Sequence, residues 1–286
     1  MSSPGSNAGI VSNKAIMDPS SPISASPDGA ASPVLDIRNL TMNFGGLRAV
    51  SDFNLRLEGR ELMGLIGPNG AGKTTVFNLV SGFYKPSAGE IFLRGRNIAG
   101  FKPHRVTGLG IARTFQNIRL WNDMTVLDNL RISQHFNLGY TLWDGLARTR
   151  RYRENEDRIQ RTAMEMLEVL DLSRFRDDLP RNLPYGIQRK VEIARALSIR
   201  PALLLLDEPA AGLNSADVQE LIRLIRWIHE NFDVAIWMIE HQMAVVMSLC
   251  TWIKVVDFGV TIAEGTPGEI QKNPDVIKAY LGDENI

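Results

Sequence analysis

The sequence contains a single cysteine, Cys250, in 286 residues, so no internal disulfide can form. Cys250 lies within the apolar stretch 244–250, which predicts a buried core position. Long apolar runs are also missing. The longest, residues 202–206 and 234–239, fall well short of the roughly eighteen residues needed to cross a bilayer. If the protein works at a membrane, we therefore expect it to be docked there by other chains.

Excess charge of either sign is absent as well. Lys plus Arg and Asp plus Glu number 32 each, so no global field attracts nucleic acid or an anionic membrane. Residues 1–33 lack aromatic side chains and carry only three charges, on Lys14, Asp18 and Asp28. Such a segment cannot bury enough surface to offset its ordering entropy, so we predict a disordered extension over 1–33. It also lacks the pattern of a targeting peptide.

A glycine-rich stretch, residues 67–75, follows the strand-like apolar run 62–66 and precedes the helix-compatible residues 76–80. It matches the P-loop pattern G-x-x-x-x-G-K-[ST]. Backbone N–H groups of such a loop surround a nucleotide phosphate, and the helix dipole adds to the attraction. The lysine would reach the β- and γ-phosphates, and the first threonine would coordinate Mg²⁺. The predicted phosphate-binding residues are Gly67, Pro68, Asn69, Gly70, Ala71, Gly72, Lys73, Thr74 and Thr75.

A second chemical feature is the run of four leucines, 203–206, followed by Asp207 and Glu208. A continuous apolar run predicts a central parallel strand buried on both faces, which would deliver both acids to the sheet edge that carries the P-loop. Asp207 would contact Mg²⁺, and Glu208 would polarise an attacking water. His241 follows the strand-like residues 234–239, and it is either a γ-phosphate ligand or a structural histidine.

Helical spacing dominates from about residue 128 to 172. Its apolar positions fall on one helical face, and they are Ile159, Ala163, Met166, Leu167 and Leu170. We interpret this region as a helical subdomain inserted between two halves of an α/β core. Within it lies a cluster of arginines, followed by acidic residues at 154, 156 and 157, for which a solvated helix face is favoured over a docking or nucleic-acid role: Arg148, Arg150, Arg151 and Arg153. A further helix over 187–197 is expected to direct Arg189, Lys190, Glu192 and Arg195 outward, and Pro201 ends it.

With these motifs placed, the sequence resembles the ATP-binding-cassette (ABC) ATPases over residues 34 to about 265. The resemblance implies one cassette domain over 34–286, with a mixed-sheet P-loop core, an antiparallel β subdomain and a helical subdomain inserted at about 120–185. Residues 67–75 resemble the Walker A loop, 183–187 the signature motif, 203–208 the Walker B strand and 211–214 the dimer-contact loop. Four single positions resemble the family's adenine-stacking aromatic, Mg²⁺-sensing glutamine, signature glycine acting in trans, and switch histidine: Phe44, Gln116, Gly186 and His241.

Three stretches narrow the resemblance to the ATPase subunits of bacterial high-affinity branched-chain amino acid importers: FGGLRAV at 44–50, EPAAGLN at 208–214 and NPDVIKAYLG at 273–282. Related subunits for urea, short amides or lipopolysaccharide export share much of the last stretch. The resemblance implies ATP and Mg²⁺ as cofactors, and a location on the cytoplasmic face of the bacterial inner membrane. It also implies a second ATPase subunit, two transmembrane permease subunits and, indirectly, a periplasmic solute-binding protein as partners. A soluble ABC switch acting on DNA or ribosomes is the alternative, disfavoured by one P-loop, no heptads and zero net charge, so no nucleic-acid partner is expected.

The sequence departs from the family pattern at two positions. The family signature usually reads Leu-Ser-Gly-Gly-Gln, whereas residues 183–187 read Leu-Pro-Tyr-Gly-Ile. Pro184 offers neither a hydroxyl nor an N–H to a phosphate held by a partner's P-loop. We therefore expect this subunit to pair with a different ATPase chain and to form two unequal composite sites. The second departure is Gln242, where an acidic residue commonly follows the switch histidine; the sequence assigns it no consequence.

Overall fold

The structure is a computed structural model that describes residues 32–137 and 139–281. Of the predicted disordered extension, residues 1–31 lie outside this range. The strands are β1 Leu35–Phe44, β2 Leu47–Leu57, β3 Leu62–Ile66, β4 Ala88–Leu93, β5 Arg96–Asn97, β6 Ile111–Arg113, β7 Leu203–Asp207, β8 Ala235–Ile239, β9 Trp252–Asp257 and β10 Val260–Gly265. The α-helices are α1 Lys73–Val80, α2 Pro103–Gly108, α3 Val126–Ser133, α4 Leu142–Leu146, α5 Arg150–Val169, α6 Tyr185–Leu197, α7 Ser215–Asn231, α8 Met243–Leu249, α9 Pro267–Ile270 and α10 Pro274–Leu281. Each helix in the described ranges is too short or too polar to span a bilayer.

The predicted parallel core is present as a six-stranded sheet with the order β10-β9-β3-β8-β7-β6. All neighbours are parallel except β10, which returns antiparallel to β9 through a tight turn at Phe258 and Gly259. Every residue of β3, β7 and β8 is buried, which explains why these strands read as uninterrupted apolar runs. The P-loop, the acid pair and His241 lie at or just after the carboxyl ends of β3, β7 and β8, and these ends share one edge of the sheet.

A second, four-stranded antiparallel sheet has the order β2-β1-β4-β5, as the predicted antiparallel subdomain requires. Trp237 of β8 is fully buried and packs against Phe77 of α1, with ring centroids 4.8 Å apart, and against Phe53 of β2, at 6.2 Å. This aromatic cluster joins the two sheets and fixes α1, the helix that follows the P-loop, over the parallel sheet.

Between β6 and β7 the ordered elements of the described chain are helical, and the predicted apolar face of α5 is buried. The buried members are Ile159, Ala163, Met166 and Leu167, and Leu170, the C-cap residue of α5, is buried with them. The boundaries that we assigned to the helical subdomain, about 120–185, and to the whole domain, 34–286, stay predictions. Cys250 is buried, as expected, and burial raises the pKa of its thiol to about 12.

One expectation about α6 is wrong. Arg189 and Glu192 were predicted to face solvent, but both are buried and form an ion pair at 2.8 Å. The reason is tertiary. The side of α6 that carries them packs against the loop that follows β6, where buried backbone groups need hydrogen-bond partners.

Candidate functional site

The P-loop geometry explains the need for glycine at two of its positions. Gly67 has φ 152°, and a Cβ there would lie 2.0 Å from the carbonyl oxygen of Val256. Gly72 has φ 99°, and a Cβ there would lie 2.5 Å from the carbonyl oxygen of Ala49. Residues 67–72 form the loop, and Lys73, Thr74 and Thr75 form the first turn of α1. The loop can therefore adopt this course only with glycine at both positions.

Lys73 is directed back into this loop. Its buried Nζ donates hydrogen bonds to the carbonyl oxygens of Gly67, at 2.6 Å, and Pro68, at 2.7 Å. Burial lowers the pKa of Lys73, while the nearby charges of Glu208 and Asp207 oppose that decrease. The ammonium group thus lies in the field of both acids, although it comes from a different strand-to-helix connection.

Two of the predicted site residues, Gln116 and His241, lie next to a third, Glu208. Its Oε2 accepts a hydrogen bond from Gln116 Nε2 at 2.7 Å and lies 3.6 Å from His241 Nδ1. The backbone of Glu208 has φ 47°, an uncommon value for a residue other than glycine, and its N–H donates to the carbonyl oxygen of Ile239 at 2.9 Å. A strained backbone held by neighbouring structure is typical of functional sites, and here it directs the carboxylate toward Gln116 and His241.

Asp207 has a partner that the sequence did not reveal. Arg113 of β6 donates to Asp207 Oδ2 at 2.7 Å, and both side chains are buried. The same guanidinium donates at 2.8 Å to Asn78 Oδ1 and to Ser81 Oγ, on and just after α1. A charged residue in a short buried strand is the only sequence signal for this pair, since such residues are rarely buried without a partner.

The oxygen donors suit a hard divalent cation. Thr74 is exposed at the start of α1, and Asp207 Oδ1 accepts no hydrogen bond from any described residue, because Arg113 contacts Oδ2. Gln116 donates through its nitrogen to Glu208, which leaves its amide oxygen as a further donor to a metal. Hydroxyl, carboxylate and amide oxygens are the ligands that Mg²⁺ takes in nucleotide sites. The donor set therefore fits Mg²⁺.

Helix α6 holds the loop that carries Gln116. Arg189 donates to the carbonyl oxygens of Phe115 and Gln116, both at 2.7 Å. Glu192 accepts from the backbone N–H groups of Phe115, at 3.4 Å, and Arg119, at 3.3 Å. Burial raises the pKa of Glu192, and the charge of Arg189 opposes the increase. The helix that follows the signature residues is therefore fixed to the glutamine loop by a buried ion pair.

The connection after β8 is held by what we call the Ala210 clamp, formed by Glu240 and Gln242. Buried Glu240 accepts hydrogen bonds from the N–H groups of Ala210, at 2.8 Å, His241, at 3.0 Å, and Gln242, at 3.2 Å. Gln242 Nε2 donates to the carbonyl oxygen of Ala210 at 3.3 Å. The clamp fixes the histidine connection to the residue that precedes the loop 211–214, and it gives Gln242 a role that an acidic side chain could not fill.

Two predicted residues lie apart from this cluster. Phe44 ends β1, half exposed, with its ring edge-to-face against Tyr84 at 5.3 Å. Gly186 is in the first turn of α6, whose N-cap residue Pro184 makes no side-chain cap. Among the described residues, no hydrogen bond joins 183–187 to the P-loop. A cleft of about 630 Å³ runs beside this helix start, between α6 and α7.

The fold and the site define a P-loop nucleotide hydrolase whose P-loop, acid pair, glutamine and histidine lie along one sheet edge. The ABC transporter family profile matches residues 50–211, and the profile described as branched-chain amino acid ATP-binding cassette transporter matches residues 260–285. The chain belongs to the ABC transporter family. It is accordingly an ATP-hydrolysing transport subunit with a nucleotide-binding domain, as the sequence predicted. Membership of this family also implies permease subunits as partners.

Individual relatives support the same family assignment. The chain is 45% identical over 251 residues to the high-affinity branched-chain amino acid transport ATP-binding protein BraF of Pseudomonas aeruginosa, covering 88% of this chain and 98% of that protein. The corresponding protein LivG of Escherichia coli gives the same identity and coverage. A solved ATP-binding cassette of an ABC transporter in its ADP conformation has TM-score 0.76 and 27% identity, over 87% of this chain and 99% of that one. The similarity thus extends over nearly the full length of these relatives.

Proposed function

We propose that this subunit powers the uptake of branched-chain amino acids. The observation that carries the proposal is similarity to such transporters along most of the chain, together with a match to their C-terminal profile. Relatives that transport these amino acids are 45% identical over 88% of the chain, and the C-terminal profile of the same transporters matches residues 260–285. The C-terminal profile favours this solute over urea, short amides and exported lipopolysaccharide, the alternatives that the sequence left open.

In the proposed mechanism, Lys73 exchanges its hydrogen bonds to the Gly67 and Pro68 carbonyls for the β- and γ-phosphates of ATP. Phe44, exposed at the end of β1, stacks on the adenine. Thr74, Asp207 and Gln116 would hold Mg²⁺, and the bound metal would neutralise charge that develops on the phosphates.

Glu208 then orients and polarises the attacking water. For this step its carboxylate releases the Gln116 amide, which donates to it at 2.7 Å. His241, 3.6 Å from the same carboxylate, donates to the γ-phosphate. Both rearrangements are side-chain movements within a preformed cluster, so the site needs little backbone reorganisation to reach its hydrolytic arrangement.

We further propose that the site is completed by a second ATPase subunit in a head-to-tail dimer. Gly186 and the start of α6 would face the phosphates bound by that partner. Because Pro184 supplies no donor, the composite site that contains it is the weaker one, which favours a different chain as partner. Two permease subunits would contact the groove near Gln116 and receive solute from a periplasmic binding protein. This arrangement places the subunit on the cytoplasmic face of the inner membrane.

Transport by the assembled system tests the proposal. The chain would be reconstituted with its permease and partner subunits in proteoliposomes, and ATP-dependent uptake of radiolabelled leucine and urea would be measured with the cognate binding protein. We expect leucine uptake that requires ATP. Uptake of urea with no leucine uptake would refute the substrate assignment and leave the ATPase assignment intact.

A further inference from the structure

Helix α4 displays three large apolar side chains to solvent. Leu142 is 80% exposed, Trp143 is 77% exposed and Leu146 is 69% exposed. Leu146 is four residues from Leu142 and three from Trp143, so its side chain lies beside both on one side of the helical turn. We call this group the α4 patch. Single exposed apolar residues are ordinary, but a group of three on one short helix marks an interaction surface.

The patch is held in place by polar contacts on either side. Thr141 and Asp144 form a capping box at the start of α4, and Thr149 Oγ1 donates to Asp144 Oδ1 at 3.0 Å. Tyr140 packs edge-to-face on Tyr152 of α5, with centroids 5.1 Å apart. The helix is therefore built into the domain with its apolar face directed outward.

Positive charge follows the patch directly. The arginine cluster comprises Arg148, Arg150, Arg151 and Arg153, and all four side chains are exposed. Among the described residues, Arg150 is the one member with a carboxylate within 4.0 Å, that of Glu154 at 2.7 Å. From residue 141 to 153 the chain carries four arginines and one acidic residue, Asp144, and the acids Glu154, Glu156 and Asp157 follow in the next turn of α5. This concentration of charge is local, because the whole chain has zero net charge.

We propose that the α4 patch and the arginine cluster dock on the surface of an anionic phospholipid bilayer. Tryptophan and leucine beside arginine are the composition of a segment that inserts shallowly at the headgroup boundary. Each exposed arginine near such a surface adds attraction to the acidic headgroups. A purely solvated helix face, the interpretation that the sequence favoured, accounts for the arginines but leaves the apolar face of α4 unexplained.

The position of the patch argues against the second ATPase subunit as its occupant. Val169, at the C-terminal end of α5, lines the cleft beside Pro184 and Gly186, the residues proposed to face that subunit. The α4 patch lies at the other end of α5, and twenty helical residues span about 30 Å. One helix thus connects the proposed subunit interface to a separate surface that suits lipid.

The test is flotation of the purified full chain with vesicles, without ATP or permease. We expect binding to phosphatidylglycerol-containing vesicles, weaker binding to vesicles of phosphatidylcholine alone, and release as the NaCl concentration rises. Two variants should each bind the vesicles at least about tenfold more weakly. One is Leu142→Ser/Trp143→Ser/Leu146→Ser, and the other has all four arginines changed to Gln. Phe258→Ser removes an equally exposed aromatic elsewhere and should bind like the unchanged protein.

Two results would overturn the proposal. One is equal binding by the triple serine variant, with circular dichroism showing all proteins folded. The other is no vesicle binding by the unchanged chain while the triple variant loses association with detergent-solubilised permease, which would make the patch a protein contact. Neither result bears on ATP hydrolysis or on the transported solute, so the proposed function is tested separately.

Discussion

The guanidinium of Arg113 donates to the carboxylate of Asp207 at 2.7 Å, and both side chains are buried. Because Arg113 also contacts Asn78 and Ser81, the acid at the end of β7 is tied to the helix that begins at the P-loop lysine. The position of the proposed metal ligand therefore depends on a residue outside every motif.

Replacing Arg113 with Met should destabilise the fold strongly. Loss of one partner leaves an uncompensated buried charge, which typically costs about 3–5 kcal/mol. Urea denaturation would measure the loss. The matched control is Arg38→Met, which breaks an Arg–Asp pair whose arginine is exposed, and it should change stability little. Equal midpoints for the two variants would contradict the role assigned to Arg113.

Lys73→Ala should abolish nucleotide binding. The ammonium is the one charge that the loop itself offers to the phosphates, and its present partners are two backbone carbonyls that it can exchange for them. Titration calorimetry with Mg-ATP measures binding directly. Lys272→Ala removes an exposed lysine and should bind as the unchanged protein does. Unaltered affinity in the Lys73 variant would exclude this lysine from the phosphate site.

Glu240→Gln tests the Ala210 clamp. The carboxylate accepts on both oxygens, from Ala210 on one and from His241 and Gln242 on the other, whereas an amide can accept on one side only. Leaving a buried N–H unpaired costs about 1–3 kcal/mol. We expect turnover to fall by at least about fivefold, with little change in ATP affinity. The reason is that the connection carrying His241 loosens while the P-loop does not.

Steady-state kinetics of the assembled transporter separate these effects. Glu168→Gln, an exposed glutamate of α5, should leave both constants unchanged. A Glu240 variant that lost affinity and turnover together would indicate general destabilisation and no specific positioning of His241.

The sequence predicted the features that depend on the local residue types, and it did not predict those that depend on distant contacts. The strands β3 and β7 were predicted closely because a strand buried on both faces must be apolar throughout. The P-loop was predicted because its backbone conformation requires particular residues. Arg189, Glu192 and Glu240 were misread or missed. Their burial is set by distant backbone groups that they satisfy, and helical spacing carries no information about such partners.

Pro184→Ser should strengthen the composite site to which this chain would contribute its signature. The N-cap of α6 has no side-chain hydrogen bond, and a serine hydroxyl could cap the helix and reach a partner's phosphate. A hydrogen bond to a charged group is worth roughly 1.5–3 kcal/mol, which corresponds to roughly a ten- to hundredfold change. ATP turnover and affinity of the assembled transporter would be compared with those of Pro267→Ser, at the start of α9. No change in either quantity would refute the idea of unequal sites.

The most direct test of the whole account is ATP hydrolysis by an assembled transporter that carries Glu208→Gln. The account assigns Glu208 the activation of water and assigns phosphate binding to other residues, so the two properties should separate. We expect turnover to fall by at least about a hundredfold, as for loss of a general base, while ATP stays bound in the site. Hydrolysis at the unchanged rate would contradict the account.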